Sequence, residues 1–575
     1  MKDCKVDKHI SASALTCDIL VVGTGVGGLS AAVTAGKLGL DVLVIEKDQV
    51  YGGTTAFSGG VLWIPGSRQA REEGIVDTKE AARTYLKEEA GNHYDEKRVN
   101  AFLDNGPRML EFFEKNTEFK CVLYQYPDYH PDAPGGVMRG RSLVPETFDA
   151  RRLGPELKRL RKPLRTITFM GMQFSSSNND LKHFFNATRS LTSFLYVVKR
   201  LTRHVTELAR YGRGVQITGG NAVIGRLAKS AFDMKIPIRT GVAARELIVE
   251  NGAVTGVVAE ENGQTIRITA RRGVVLATGG FARDVERLEH LYPHVERGGE
   301  EISPTPPGAD TGDGIRMAEA IGAKFEDSYP NAAAWIPASK VPIGKETYVF
   351  PHLVDRYKPG FIMVNRGGYR FCNEADSYHD VGEAMIKTCE KDTETVAWEI
   401  CDHKAIRKYG MGFAKPAPVP LFVYVNSGYL IKGDTIRELA QKTGIDTAAL
   451  EDTVRRFNVG AEKGEDPEFG RGTTSYNRYL GDPLHKPNPC VAPINDGPYY
   501  AVKLFMGDLG TFDGLKTDEH ARVLDTAGQP IAGLYAAGNE MASIMGGSYP
   551  GAGITIGPGA TFGYIAARHI AGFTD

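Results

Sequence analysis

The residues best equipped for chemistry lie between Asp18 and Lys47. Gly23-Thr24-Gly25-Val26-Gly27-Gly28 spells the pattern G-x-G-x-x-G. In such a run Gly23 permits a tight turn, Gly25 lets backbone approach a pyrophosphate, and Gly28 lets a helix pack closely on a strand. Glu46, with Lys47 after it, ends the apolar run Val42-Leu43-Val44-Ile45 and is placed to accept hydrogen bonds from adenosine ribose hydroxyls. The elements that must position these groups are legible around them. The strand Ile19-Leu20-Val21-Val22 precedes the glycines, a small-residue helix from Leu29 follows, and the second strand ends on the acid. That is a complete βαβ unit, whose helix would offer free N–H groups and its positive dipole end to phosphates.

A second glycine-rich turn follows directly, Gly52-Gly53-Thr54-Thr55-Ala56 and then Ser58-Gly59-Gly60. A nicotinamide cofactor has no need of a turn there; the ribityl and phosphate chain of a flavin does. Here the chain resembles the succinate dehydrogenase/fumarate reductase flavoprotein superfamily. The resemblance implies FAD and an α/β fold, a Rossmann-like FAD-binding domain with an inserted α+β capping domain. It also places Val242, the turn Ala277-Thr278-Gly279, Gly538-Asn539 and Thr555-Ile556 against the cofactor. Covalent members carry a flavin-linking histidine that falls on about Gly53, and no histidine lies between His9 and His93. FAD is therefore expected to bind non-covalently.

The chain has 575 residues and a formal net charge of −1, enough for two or three domains and against a general nucleic-acid surface. No apolar run reaches the roughly 18 residues of a membrane span. Met1 to Ala14 has neither an apolar core nor a twin arginine, so no export signal is read and a cytoplasmic location is expected. The seven cysteines, Cys4, Cys17, Cys121, Cys372, Cys389, Cys401 and Cys490, show no C-x-x-C spacing, which fits reduced thiols and no metal site.

In chain order, Lys79 to Lys115 has a helical pattern and leads into Tyr124-Gln125-Tyr126-Pro127-Asp128-Tyr129-His130-Pro131, a stiff aromatic loop. Residues 151–213 are strongly basic, with Arg151, Arg152, Lys158, Arg159, Arg161, Lys162 and Arg165 at one end and Lys199, Arg200, Arg203, Arg210 and Arg213 at the other. Between them lie Ile167-Thr168-Phe169-Met170 and Phe194-Leu195-Tyr196-Val197-Val198, with Asp180 among the few acids. Such a segment suits peripheral contact with anionic lipid; a solvated basic face on an inserted helical pair is the alternative. The expected division is an FAD-binding domain over 1–336 and 500–575, with a capping domain over 337–499. Pro558 fits the first turn of a last helix, whose N-terminus would face the flavin.

The reaction is argued from the site. Fumarate reductases clamp two carboxylates and protonate with an arginine. Following their pattern through Asn365 to Glu374, the acid-donating arginine falls on Tyr378, the clamping histidine near Gly510 and the second clamp arginine on Tyr549. A dicarboxylate would meet no charge partner. Tyrosine at those places, with Tyr549-Pro550-Gly551-Ala552-Gly553, resembles the 3-ketosteroid 1-dehydrogenases. The resemblance implies that Tyr549 and the Gly553 amide hold a ketone oxygen, that Tyr378 removes the proton next to the ketone, and that Tyr129 assists it. A hydride then leaves the neighbouring carbon for flavin N5. A free phenol has a pKa of about 10 and needs such help to act as a base. The family commonly reads L-G-T-K-G-G where this chain has Leu509-Gly510-Thr511-Phe512-Asp513-Gly514, which leaves the ring substrate open. The expected partners are a 3-ketosteroid and an electron acceptor such as a quinone. The alternatives are a dehydrogenase of smaller cyclic ketones or of another steroid ring position, and a flavin electron-transfer subunit.

Overall fold

The computed structural model describes residues 15–174, 183–184, 187, 190–392 and 394–574. The N-terminal stretch, with Cys4, and Asp180 lie outside the described residues.

The apolar runs that open the chain become the centre of an eight-stranded sheet. Leu15–Val22 pairs in parallel with Val42–Glu46 on one side and with Gln264–Leu276 on the other. Ile19 to Val21, Val44 and Ile45 are wholly buried, as expected of strands covered on both faces. Pro530–Ala536 returns from the far end of the chain to pair with Gln264–Leu276, so the last segment is built into the first sheet. The helices Val26–Lys37 and Ile556–Ile570 pack on each other through small residues; a Cβ on Gly563 would stand 2.3 Å from the Gly27 carbonyl oxygen. That contact fixes the last helix beside the glycine turn.

A six-stranded antiparallel sheet is built from strands between Ala333 and Thr511. Its strand Tyr499–Thr511 pairs with both Ala333–Ile343 and Val396–Asp402, and its end carries the chain back to the first sheet. Beside it Arg370 bonds Glu374 and Asp466 at 2.8 Å, and Arg471 reaches Glu374 at 3.0 Å, all four buried. Two guanidinium and two carboxylate groups cancel there, which is how so many charges tolerate burial.

The helical reading of 79–115 resolves into Lys79–Ala90 and Glu96–Asn116. In the basic segment the charge is less free than the sequence suggests. Arg152 pairs with Glu118 and Arg161 with Asp48, both at 2.6 Å, and Arg213 is buried against the carbonyls of Leu160 and Arg161. Glu118 and Asp48 come from outside the segment, where a reading along the sequence could not see them. Of the apolar stretches, Ile167 and Met170 are exposed while Thr168 is buried, and the second stretch is the more open. On the helix Leu191–Tyr211, Leu191 (73% exposed), Phe194, Leu195, Val198, Val205 (62%) and Leu208 recur at helical spacing on the surface. No helix among the described residues is long and apolar enough to cross a membrane.

Candidate active site

The glycine turn opens a cleft at the ends of the strands Leu15–Val22, Val42–Glu46 and Gln264–Leu276. Gly23, Gly25, Glu46, Lys47, Gly53, Thr54, Thr55, Ser58, Val242, Ala277, Thr278, Gly279, Gly538, Asn539, Thr555 and Ile556 all line it. It holds about 1100 Å³ of empty space, counting its open mouth. The helix Val26–Lys37 begins at the cleft with no acidic residue in its first turn; its Val26 N–H donates to the Thr55 hydroxyl at 3.1 Å, and its positive end stands where a phosphate is favoured. The glycines form a cradle: a Cβ on Gly279 would lie 2.0 Å from Asp310 Oδ1, and one on Gly23 2.2 Å from the Ala277 oxygen. A long cleft with an anion-binding helix end, an acid at one extremity and glycines along its wall fits FAD.

Four of the expected glycines stand behind this wall. A Cβ on Gly28 would meet the Gly23 oxygen at 2.1 Å, and one on Gly60 would meet the Gly219 carbonyl carbon at 2.2 Å. The Gly52 N–H donates to Thr24 Oγ at 2.9 Å, and Gly59 follows Ser58 without lining the cleft. These four shape the turns that carry the lining residues. Glu46 Oε2 accepts from the Thr24 amide at 3.2 Å and its hydroxyl at 2.6 Å, so the acid braces the glycine turn. Asp310 and Asp313 were not anticipated. Thr54 donates to Asp310 at 2.6 Å, Lys47 pairs with Asp313 at 2.8 Å, and burial pushes Asp310 up to about 7. Asp310 also has φ +51°, a conformation that aspartate tolerates better than most and that marks functional sites. The run Asp310-Thr311-Gly312-Asp313-Gly314, leading into the helix Asp313–Glu319, is the local pattern that could have marked them.

Tyr129, Tyr378 and Tyr549 come together although they lie on three distant segments. The Tyr129 hydroxyl donates to that of Tyr378 at 3.0 Å. The ring of Tyr549 stacks on Tyr129 with centroids 5.4 Å apart and meets Tyr378 edge-on at 5.1 Å. Tyr378 is the first residue of the helix Tyr378–Thr388, where Ser377 caps by accepting from the Asp380 amide. The aromatic loop is stitched to the Tyr549 segment: the Tyr129 amide and the Tyr85 hydroxyl both donate to the Pro550 carbonyl, at 2.9 and 2.6 Å. Buried Asp128 accepts from Trp63 Nε1 at 2.8 Å and Arg141 at 2.7 Å, which locks the loop's base. Gly553 has φ +97°, and a Cβ there would lie 2.4 Å from the Val61 oxygen, so only glycine can present its backbone at this place. At Gly510, where a clamping histidine would stand, a Cβ would come within 2.1 Å of Asn539 Nδ2.

Burial raises the Tyr378 phenol well above its usual range and Tyr549 adds to this, while the bond from Tyr129 pulls the other way. Tyr549 is pushed up to about 12 by burial, against the pull of the Tyr378 and Thr555 hydroxyls. The help from Tyr129 therefore has the expected direction, and desolvation outweighs it. Sequence reasoning missed Tyr476, whose ring lies 5.3 Å from Tyr129, and Tyr357, whose hydroxyl is 3.2 Å from that of Tyr476. Neither sits in a motif. His130 was seen only as part of the aromatic loop, and its partners come from two separate helices.

Comparison with known proteins places this geometry among flavoproteins. A family model described as FAD binding domain matches residues 18–556. A 4-oxocyclohex-2-ene-1-carboxylate 5-dehydrogenase of Sinomonas cyclohexanicum is 42% identical over 97% of this chain and 94% of its own length. A 3-oxosteroid 1-dehydrogenase of Mycobacterium tuberculosis is 38% identical over 96% of this chain and 98% of its own. The crystal structure of a 3-ketosteroid Δ1-dehydrogenase from Sterolibacterium denitrificans, in complex with 1,4-androstadiene-3,17-dione, is 38% identical. It superposes with a TM-score of 0.87 over 97% of this chain and 99% of that one.

Proposed function

The chain belongs to the FAD-binding flavoprotein family that includes the 3-oxosteroid 1-dehydrogenases, and on that premise we propose that it introduces a 1,2 double bond into 3-ketosteroids. The observation that carries this reading is the contact of Tyr129 with Tyr378 beside Tyr549, in a place where carboxylate-clamping relatives need arginine. FAD, when bound, supplies the hydride acceptor. The Tyr549 hydroxyl and the Gly553 amide would hold the ketone oxygen and stabilise negative charge as it develops there. Tyr129 would donate to Tyr378 and favour its phenolate, which would take the proton from the carbon next to the ketone and become the neutral phenol. All three tyrosines are buried, so water is kept from the enolate.

A second reading, oxidation of a smaller cyclic ketone that carries a carboxylate, is favoured by the 42% identity to the cyclohexenecarboxylate enzyme. A carboxylate taken out of water needs a cation. Of the basic side chains near this cluster, two are already engaged. Arg356 donates to the carbonyls of His352 and Glu374, and His130 lies between Glu89 and Asp380. This supports the neutral steroid. Anaerobic bleaching of the flavin by a panel of saturated 3-ketosteroids and 4-oxocyclohexanecarboxylates decides between them: bleaching by the steroids alone supports the first reading, and bleaching by the carboxylates alone replaces it with the second.

The proposal also has a capping domain over 337–499 between the two parts of the FAD-binding domain, with strand Tyr499–Thr511 pairing in the capping sheet. The exposed apolar stripe of Leu191–Tyr211 would rest on a membrane surface, where an apolar steroid partitions and a quinone could take up the electrons.

A further inference from the structure

We propose that His130 is a positioning residue: its imidazole, clamped between Glu89 and Asp380, sets the separation of the Tyr129 and Tyr378 hydroxyls. The consequence for turnover rests on the dehydrogenase reading; the consequence for geometry does not.

His130 directly follows Tyr129 on the aromatic loop. Its Nδ1 lies 2.9 and 3.0 Å from the two oxygens of Glu89, on the helix Lys79–Ala90. Its Nε2 lies 3.1 Å from Asp380 Oδ2, on the helix that Tyr378 begins. Asp380 is two residues beyond Tyr378, so the clamp and the hydroxyl pair are parallel ties between the same two segments. The His130 amide also donates to the Tyr85 hydroxyl at 3.2 Å, and that hydroxyl bonds the Pro550 carbonyl beside Tyr549. One residue thereby joins the loop of Tyr129, the helix of Tyr378 and the strap of Tyr549.

The hydroxyl contact alone is a weak device, one neutral bond between side chains on separate segments. Bonds from a charged imidazole to carboxylates are roughly twice as strong and directional at both nitrogens. The two carboxylates overcome burial and hold the ring protonated, with its pKa raised to about 11. Asp380 has a second reason to be ionised, since it sits in the first turn of its helix at the positive end. Asp376, next to the same helix, Tyr357 and Tyr85 also feel this cluster, and His379 acts on Asp380 from the same helix.

The test uses the holoenzyme in three forms: parent, His130→Gln and Asp380→Asn. Crystal structures give the distance between the two hydroxyls, and single-turnover flavin reduction by a saturated 3-ketosteroid gives the rate and the steroid dissociation constant. The expected result in His130→Gln is loss of the 3.0 Å contact. The reduction rate should fall about 10- to 100-fold while steroid affinity stays within about threefold, because misplacement of roughly 1 Å costs on that order. Asp380→Asn keeps shape and acceptor without the charge, should lose less in the same direction, and carries the test if His130→Gln does not fold. An unchanged hydroxyl contact, or a loss seen only in steroid affinity, would overturn the proposal. If steroid fails to bleach even the parent's flavin, the dehydrogenase reading falls, and the crystallographic distance still decides the clamp.

Discussion

The hydroxyl of Tyr129 donates to that of Tyr378 across 3.0 Å, joining an aromatic loop to a helix 249 positions later in the chain. The direction of donation matters, because a donor to Tyr378 stabilises the charge left when that phenol gives up its proton.

If Tyr378 takes the proton, Tyr378→Phe removes the base while keeping the ring. Flavin reduction by a saturated 3-ketosteroid should fall by about 10²–10⁴, the usual worth of a positioned general base. FAD content and steroid affinity should survive. A rate within about threefold of the parent, or roughly 0.7 kcal/mol of barrier, would remove Tyr378 from this role.

The pH dependence follows from the same pair. Burial holds the Tyr378 phenol well above its ordinary value, so the ionised form is scarce at neutral pH and grows as pH rises. Single-turnover flavin reduction should climb through the alkaline range, approaching about tenfold per pH unit below the phenol's pKa. Tyr129→Phe deletes the donor that lowers this pKa, so the climb should move to higher pH. A flat profile in both proteins would contradict the assignment.

Non-covalent binding is checked directly. Purified protein should be yellow and should release its FAD into the supernatant on acid precipitation, because glycine stands at the linking position. Flavin retained in the pellet would show a bond elsewhere in the chain.

Much of the lining of the cleft proposed for FAD was legible in the sequence, and for a physical reason. A phosphate-binding turn is local: Gly23, Gly25, Glu46 and the Gly53–Ser58 run act within one βαβ unit and its next loop, so spacing alone places them. The substrate side is different. Tyr378 and Tyr549 could be found only because a family motif marked them. Tyr476, Tyr357 and the Glu89–His130–Asp380 clamp are assembled by tertiary packing from separate elements and leave no pattern along the chain. The basic segment shows the same limit in reverse. Its arginines look free in sequence because Glu118 and Asp48, which pair with Arg152 and Arg161, lie outside it.

Those ion pairs shape the membrane prediction. The protein should sediment with vesicles containing anionic lipid and be partly released as salt rises, since surface attraction is screened over about 10 Å at 0.1 M. Leu195→Glu with Val198→Glu should abolish the salt-resistant remainder, because both side chains lie on the exposed stripe. Equal sedimentation with neutral and anionic vesicles would discard the electrostatic part, and no sedimentation with either would discard the assignment.

The central claim is that Tyr549 and the Gly553 amide activate a ketone, and stopped-flow flavin reduction with matched 3-oxo and 3-hydroxy steroids tests it most directly. Tyr549→Phe should slow reduction by the 3-oxo compound about 10²–10³-fold, near 3–4 kcal/mol, as expected for loss of one oxyanion-hole donor. The 3-hydroxy steroid should bind the parent and leave its flavin oxidised, since it offers no carbonyl to become an enolate. Bleaching of the parent's flavin by the 3-hydroxy compound at a rate comparable to the 3-oxo compound would contradict the account, and with it the roles of Tyr378 and Tyr129.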